Sequence, residues 1–126
     1  MEGSPVRVLV ADDRAPFRRA ARAVLEATPG FEIVGEAMSG EEAVALAESL
    51  EPDLVLMDIN MDGIGGIEAT RRIAEARPQT VTVLLSSYRE EDLPSDARSC
   101  GAAAYVHKED FGPEVLRRLW PTAGTT

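Results

Sequence analysis

The chain has 126 residues with 22 acidic and 13 basic side chains, and its net charge of -9 argues against direct nucleic-acid binding, which relies on clustered lysine and arginine. Its length predicts one domain whose apolar core is large enough to be stable without disulfides or a structural zinc ion. Its single cysteine excludes a disulfide framework or a cysteine-rich metal site. No apolar run approaches the roughly 20 residues of a membrane span, and no secretory signal opens the sequence, so we expect a cytoplasmic protein.

The basic residues are unevenly distributed between the two types. Twelve are arginines, and Lys108 is the only lysine. Because the chain otherwise uses arginine for positive charge, the single lysine indicates that position 108 specifically needs a lysine side chain. Lysine carries a compact ammonium on a flexible stem, whereas the arginine guanidinium is longer and forked.

The first half of the chain alternates apolar strands with helical patterns. Val6 to Ala11 predicts a buried strand, and apolar residues then recur at helical spacing from Phe17 to Leu25. Phe31 to Gly35 predicts a second strand. Ser39 begins a capping-box pattern for a helix whose apolar face extends to Leu50.

The second half continues the alternation. Its predicted elements are a strand over Asp53 to Met57, a helix from about Gly66 to Arg77, a strand over Val81 to Leu85, a less regular helix near Leu93 to Cys100, a short strand over Ala103 to Val106 and a last helix from Pro113 to Trp120. Pro94 is tolerable only in the first turn of the fourth helix.

Five strands alternating with five helices predict an α/β fold. Most of the strands are apolar on both faces, which is typical of a parallel sheet covered on both sides and joined by right-handed crossovers. We expect a doubly wound, flavodoxin-like (βα)5 sheet with strand order 2-1-3-4-5. The whole chain, residues 1–126, is predicted to be a single domain with its core at about 5–120 and a tail at 121–126.

Polar side chains follow four of the five predicted strands. Asp12 and Asp13 follow the first strand, Asp58 the third, Ser86 the fourth and Lys108 the fifth. In the expected order the first and third strands flank the switch point, so the three carboxylates converge there. Repulsion among clustered carboxylates raises the pKa of at least one of them or recruits a cation. Because the available ligands are hard oxygen atoms, the favoured cation is Mg²⁺. A metal held in this way can bind a phosphoryl group, to which Ser86 and Lys108 can also donate.

Each of these residues also has an ordinary structural explanation when it is taken alone. Asp12 or Asp13 could cap a helix, Asp58 could belong to a turn, and Lys108 could be a solvated charge. Their occurrence together at the strand ends favours a site. His107 is expected to be solvated and to have no role.

The residues resemble the receiver domain of bacterial two-component response regulators over Val6 to about Trp120. The segments that carry the resemblance are Val8–Asp13 (VLVADD), Leu54–Met61 (LVLMDINM), Gly66–Thr70 (GIEAT), Val83–Ser86 (VLLS) and Gly101–Lys108 (GAAAYVHK). The resemblance implies that Asp58 accepts a phosphoryl group from a sensor histidine kinase or a small phosphodonor. It also implies that Asp12, Asp13, Asp58 and the backbone carbonyl of Asn60 hold Mg²⁺.

The resemblance further implies a conformational switch. Ser86 and Lys108 would contact the phosphoryl group, Tyr105 would change rotamer on activation, and Asn60 and Tyr88 would tune the phosphoryl lifetime. A bulky Tyr88 is expected to slow attack by water. Closure on the phosphoryl group would alter the face formed by the fourth helix, the fifth strand and the fifth helix, to which a downstream protein would bind.

Three positions depart from the pattern of the family. Glu109 follows the lysine where proline is frequent, as in many receivers of helix-turn-helix transcription regulators. Asp62 stands where many members carry proline, and this additional acid either tightens metal binding or is solvated. Pro94 shortens or re-angles the fourth helix, which puts the usual dimer face in doubt.

Two other classes are compatible with parts of the sequence. A Mg²⁺-dependent phosphatase with an aspartyl nucleophile would use Asp58 and Asp62, but enzymes resembling haloacid dehalogenases place the nucleophile after the first strand and need cap elements. A flavodoxin-like cofactor binder needs a Ser, Thr or Gly phosphate cradle after the first strand, where Asp12 and Asp13 would repel phosphate.

Two forms of output remain open. The favoured expectation is a single-domain regulator that acts through protein contact, with a sensor histidine kinase upstream, a downstream protein or effector domain as its partner, and a homodimer as an open option. The alternative is the N-terminal receiver part of a longer DNA-binding transcription regulator, since a helix-turn-helix effector needs about 50 further residues.

Overall fold

The computed structural model describes residues 4–121, which form one parallel sheet flanked by helices. The strands are β1 (Val6–Ala11), β2 (Phe31–Ala37), β3 (Leu54–Asp58), β4 (Val81–Ser86) and β5 (Ala104–His107). Their order is β2-β1-β3-β4-β5 with every neighbouring pair parallel, so the predicted doubly wound α/β fold is confirmed. Except for Pro121, the predicted tail lies outside the described residues.

Four α-helices lie within residues 4–121. They are α1 (Ala15–Ala27), α2 (Gly40–Leu50), α3 (Gly65–Ala76) and α4 (Pro113–Leu119). The predicted cap of α2 is present, because Ser39 Oγ accepts a hydrogen bond of 3.1 Å from the Glu42 backbone N–H. The Glu42 carboxylate in turn accepts one of 2.7 Å from the N–H of Met38. In residues 4–121, no helix has both the length and the apolar character needed to cross a membrane.

The predicted helix over Leu93 to Cys100 is wrong. The segment instead forms two short 3₁₀ turns, Glu90–Asp92 and Ser95–Arg98. Pro94 separates them with an extended ψ of 148°, which a continuous helix cannot accommodate. Gly101, with φ of 101°, then leaves room for less than about two helical turns after the proline. The face predicted to change on activation therefore contains these 3₁₀ turns in place of the predicted fourth helix.

The sheet separates two apolar clusters. Leu9, Met57 and Leu84 belong to the cluster that includes buried residues of α2 and α3. Val10 and Leu56 belong to the opposite cluster, which includes buried residues of α1 and α4. Burial on both faces explains the nearly continuous apolar runs of β1, β3 and β4. It also fixes the carboxyl ends of these strands against one another.

Gly66 allows α3 to begin directly against the end of β3. A Cβ atom at this position would lie 2.0 Å from the carbonyl oxygen of Asp58. The obstructing atom belongs to the backbone at the end of the central strand, so a side-chain rotation cannot move it away. The absence of a side chain at Gly66 therefore sets the path of the chain immediately after Asp58.

We expect Gly66→Ala to lower the free energy of unfolding by about 3 kcal/mol, the upper end of the range for overpacking, because the backbone must shift. The measurement is urea denaturation followed by circular dichroism. Gly112→Ala is the matched control, since a Cβ there has open space within 4 Å and the backbone is extended. The control should lose no more than about 1 kcal/mol as a helix N-cap change. Equal losses in the two variants would contradict this account of Gly66.

Candidate functional site

Three carboxylates converge where β1 and β3 end. Asp12 and Asp13 follow β1, and Asp58 is the last residue of β3. Asp12 is 0% and Asp58 4% exposed, whereas Asp13 is partly exposed. One carboxylate oxygen from each of the three lies within 4.8 Å of the others. The structure therefore brings together the three acids that the sequence placed at the switch point.

Lys108 directly follows β5 and reaches into this cluster. Its Nζ atom lies 2.7 Å from Asp12 Oδ2 and 3.4 Å from Asp58 Oδ1, and the side chain is only 17% exposed. The same ammonium lies 4.7 Å from the centroid of the Phe17 ring, which is within cation–π distance. The only lysine of the chain therefore lies between two buried carboxylates and an aromatic ring.

The environment of Asp58 favours its neutral form. Burial, reinforced by the negative charge of Asp12, raises the pKa of Asp58 to about 6. The charge of Lys108 and the hydrogen bond from the Asn60 N–H to Asp58 Oδ1, 3.3 Å long, oppose this shift without cancelling it. One ammonium is therefore insufficient compensation for the acids, and an additional cation would stabilise their charged forms.

The donor set fits a hard divalent cation. It consists of three carboxylates, two of them buried, and no histidine or cysteine belongs to the group found among residues 4–121. Oxygen ligands of this kind are those that Mg²⁺ prefers. Asp62 lies outside this group and is exposed, so the structure favours the solvated alternative for this residue.

Backbone and side-chain contacts from α1 hold the end of β1. The Arg14 N–H donates to Asp12 Oδ1 at 2.8 Å. Arg18 Nη1 donates to the Asp12 carbonyl at 2.7 Å, while its Nε lies 3.3 Å from the Glu36 carboxylate. The sequence pattern did not single out Arg18 or Phe17 as neighbours of the site. Their proximity to the carboxyl end of β1, in the first turns of α1, is the signal that could have found them.

Ser86 ends β4 and is 3% exposed. Its Oγ accepts a hydrogen bond of 2.8 Å from the Tyr88 N–H, which leaves the hydroxyl proton available for donation. The Tyr88 side chain is 44% exposed, and Asn60 is also exposed. Ser86 thus presents a buried hydroxyl, whereas the two residues predicted to tune the phosphoryl lifetime are more accessible to solvent.

Tyr105 points towards the segment that replaces the predicted fourth helix. It is half-buried against the cluster under α2 and α3, and its hydroxyl donates to the Ala97 carbonyl at 2.6 Å. Burial raises the pKa of Tyr105. The ring is therefore anchored at its polar end, and any change of rotamer must break this hydrogen bond.

His107 is partly exposed, as expected of a solvated side chain, but both of its ring nitrogens also contact the backbone. The side chain is half-buried, its Nδ1 accepts from the Glu109 N–H at 3.2 Å, and its Nε2 lies 3.1 Å from the Ser87 carbonyl oxygen. Because Nδ1 accepts, the hydrogen bonds assign the proton to Nε2. The tertiary neighbour Ser87 belongs to the loop after β4, which a local pattern around His107 does not reveal.

Comparison with known proteins identifies the family. A family model described as "Response regulator receiver domain" matches residues 8–119. The chain belongs to this family. The receiver domain is 40% identical over 114 residues to "Response regulator UvrY" of Escherichia coli (strain K12), an alignment covering 90% of this chain and 52% of UvrY. It is 38% identical over 110 residues to "Transcriptional regulatory protein LiaR" of Bacillus subtilis (strain 168), covering 87% and 52%.

A solved structure supports the same fold. It is the CheX–CheY–BeF₃–Mg²⁺ complex from Borrelia burgdorferi, matched with a TM-score of 0.84 and 28% identity over 95% of this receiver domain and 90% of that chain. The receiver domain spans about half the length of the two curated relatives. It is thus the receiver domain of a two-component response regulator.

The raised pKa of Asp58 predicts a stability effect with a definite sign. The folded state binds the Asp58 proton more tightly than the unfolded state does, so this contribution stabilises the fold at low pH and is lost as the pH rises through about 6. We expect Asp58→Asn to raise the free energy of unfolding by about 2 to 3 kcal/mol at pH 7.5 without divalent cations. The gain should disappear near pH 4.

Urea denaturation at several pH values measures this effect. Glu48→Gln, at an exposed position of α2, removes the same formal charge and serves as the control. A stability gain at pH 7.5 that is equal in the two variants would show that the net charge of the chain, rather than the burial of Asp58, is responsible.

Proposed function

We propose that this receiver domain is activated by phosphorylation of Asp58. The phosphoryl group would come from a sensor histidine kinase or a small phosphodonor, with Mg²⁺ held by Asp12, Asp13, Asp58 and the backbone carbonyl of Asn60. The observation that carries the proposal is the buried pair of carboxylates, Asp12 and Asp58, with the Lys108 ammonium 2.7 and 3.4 Å away.

The transfer requires an ionised Asp58 and added positive charge that offsets the surrounding carboxylates. A carboxylate oxygen of Asp58 forms the new bond to phosphorus, while the bond from phosphorus to the donor breaks and the leaving group departs with the bonding electron pair. Such a transfer depends mainly on positioning and charge neutralisation. Bound Mg²⁺ supplies positive charge to the phosphoryl oxygens.

The residues around Asp58 take complementary roles in this proposal. Lys108 exchanges part of its contact with Asp12 for a contact with a phosphoryl oxygen, and the Ser86 hydroxyl donates its free proton to another. Only the state in which both side chains close on the phosphoryl group gains these charge-assisted hydrogen bonds. Movement of the loop after β4 would then release Tyr105 from the Ala97 carbonyl. The 3₁₀ turns, β5 and α4 would form the altered surface.

Two findings support this reading. The structurally similar CheY is described as part of a complex that contains CheX, BeF₃ and Mg²⁺. The acidic cluster of this chain contains the same type of oxygen ligand that such a magnesium site needs.

A second proposal concerns the output. The matched regions make up about half of UvrY and of LiaR, and LiaR is a transcriptional regulatory protein. On this basis the receiver domain would control a DNA-binding part of the same polypeptide, rather than act alone through protein contact. The length of the natural reading frame distinguishes these two forms of output.

Incubation with acetyl phosphate and Mg²⁺, followed by intact mass spectrometry, tests the phosphorylation. We expect addition of a single phosphoryl group that is abolished in Asp58→Asn and by chelation of Mg²⁺. Asp62→Asn, a change of a nearby exposed acid outside the cluster, is the control and should remain phosphorylated. Modification that persists in Asp58→Asn would overturn the proposal, and multiple turnover of a small phosphoester would support a phosphatase instead.

Lys108→Arg preserves the net charge but places a forked guanidinium between Asp12 and Asp58. We expect the rate of phosphorylation by acetyl phosphate to fall roughly tenfold or more, because the bulkier group cannot approach both the carboxylates and the phosphoryl oxygens in the same way. Arg19→Lys, at an exposed position of α1, is the reciprocal control and should have no effect. A normal phosphorylation-dependent response in Lys108→Arg would show that the use of lysine here is accidental.

Tyr88 tests the proposed control of phosphoryl lifetime. Its ring follows Ser86 by two residues, and we expect it to hinder attack of water on the aspartyl phosphate. Tyr88→Ala should therefore shorten the half-life of the phosphorylated chain several-fold, as followed by loss of the phosphorylated mass after removal of acetyl phosphate. Tyr88→Phe retains the bulk and should behave as the unaltered chain. An unchanged half-life in Tyr88→Ala would refute the shielding role.

A further inference from the structure

His107 lies at the point where the last two strands of the sheet stop pairing. It is the final residue of β5, and its register partner on β4 is Ser86. Lys108 directly follows β5, and Ser87 directly follows β4. His107 is therefore adjacent to both segments that carry the proposed phosphoryl contacts.

The imidazole of His107 makes one hydrogen bond to each of these segments. Nδ1 accepts from the Glu109 N–H at 3.2 Å, which caps the 3₁₀ turn Lys108–Asp110. Nε2 donates to the Ser87 carbonyl at 3.1 Å, immediately after Ser86. The ring thus continues the connection between the two strands past the end of their backbone ladder.

Hydrogen bonding, more than close packing, orients this ring. His107 lines a cavity of about 310 Å³ that is also lined by Ser86, Tyr88, Leu93 and Tyr105. An imidazole beside such open space gains little orientation from contact on that side. Its two ring nitrogens are nevertheless hydrogen-bonded to separate segments, so the ring links the loop after β4 to the turn after β5.

We propose that His107 is a positioning residue that keeps Ser86 and Lys108 in register, so that both side chains reach the same phosphoryl group. The proposal rests on phosphorylation of Asp58 as the function of the site. Its physical basis is the steep dependence of transfer rates on geometry, since a displacement of about 1 Å can reduce a rate by roughly 10²-fold.

Three variants separate the two hydrogen bonds. His107→Phe retains an aromatic ring but makes neither bond. His107→Asn retains a short side-chain oxygen that can accept from the Glu109 N–H, and asparagine is a favourable cap. His107→Gln has the reach to donate to the Ser87 carbonyl. The unfolding free energy of each variant is measured in parallel by urea denaturation.

The functional measurement is phosphorylation by acetyl phosphate with Mg²⁺, analysed as a maximal rate and a half-saturating donor concentration. We expect His107→Phe to lower the maximal rate by roughly five- to tenfold with the half-saturating concentration within about twofold, because positioning in the transfer step is impaired. His107→Asn and His107→Gln should each recover part of the rate.

The outcomes distinguish this inference from the function on which it rests. If the unaltered chain is phosphorylated at Asp58 and His107→Phe matches its rate, the positioning role is overturned while the proposed function stands. A second contrary outcome is that the rates simply follow the unfolding free energies of the three variants, with no recovery in His107→Asn or His107→Gln. That outcome assigns His107 a structural role and also overturns the inference. An unaltered chain that is not phosphorylated at all overturns both proposals.

Discussion

The burial of two neighbouring carboxylates, Asp12 and Asp58, is the constraint on which the rest of this receiver domain depends. Backbone pairing of β1 with β3 and the apolar clusters on both faces of the sheet hold the two strand ends side by side. Burial and, after it, the negative charge of Asp12 raise the pKa of Asp58 to about 6, and the single ammonium of Lys108 offsets this shift only in part. The folded chain therefore maintains a site whose charged form is stabilised by further positive charge.

Lys108 is shared among several partners. It is closest to Asp12 and is also held beside the Phe17 ring. Under the proposed function, phosphorylation of Asp58 adds negative charge nearby and changes which oxygen atoms attract the ammonium most strongly. The turn that carries Lys108 is capped by His107, and His107 also contacts the loop after Ser86. If His107 has the proposed positioning role, a movement of one loop would be transmitted to the other.

Much of the fold and the site could be predicted from the sequence because the relevant signals are local. Apolar runs marked the strands, the Ser39 capping pattern marked the start of α2, and the positions of acids after β1 and β3 needed only the topological rule for parallel sheets. The prediction for His107 missed its contact with Ser87, because Ser87 lies in the loop after another strand, β4. The prediction of a fourth helix failed because the extended backbone at Pro94 outweighed the apolar pattern around it.

The replacement of that helix bears on how the domain could transmit a signal. The 3₁₀ turns are closed by short-range hydrogen bonds, such as those from the Ala97 N–H to the Pro94 carbonyl and from the Ser99 N–H to the Asp96 carbonyl. The Ala97 carbonyl also accepts from the Tyr105 hydroxyl and from the Cys100 thiol. A rotamer change of Tyr105 would remove a strong contact from a segment that lacks the cooperative ladder of an α-helix. Such a segment can rearrange at a lower cost than an intact helix. Under the proposed function, the 3₁₀ turns around Pro94 would therefore favour, rather than prevent, a response to phosphorylation.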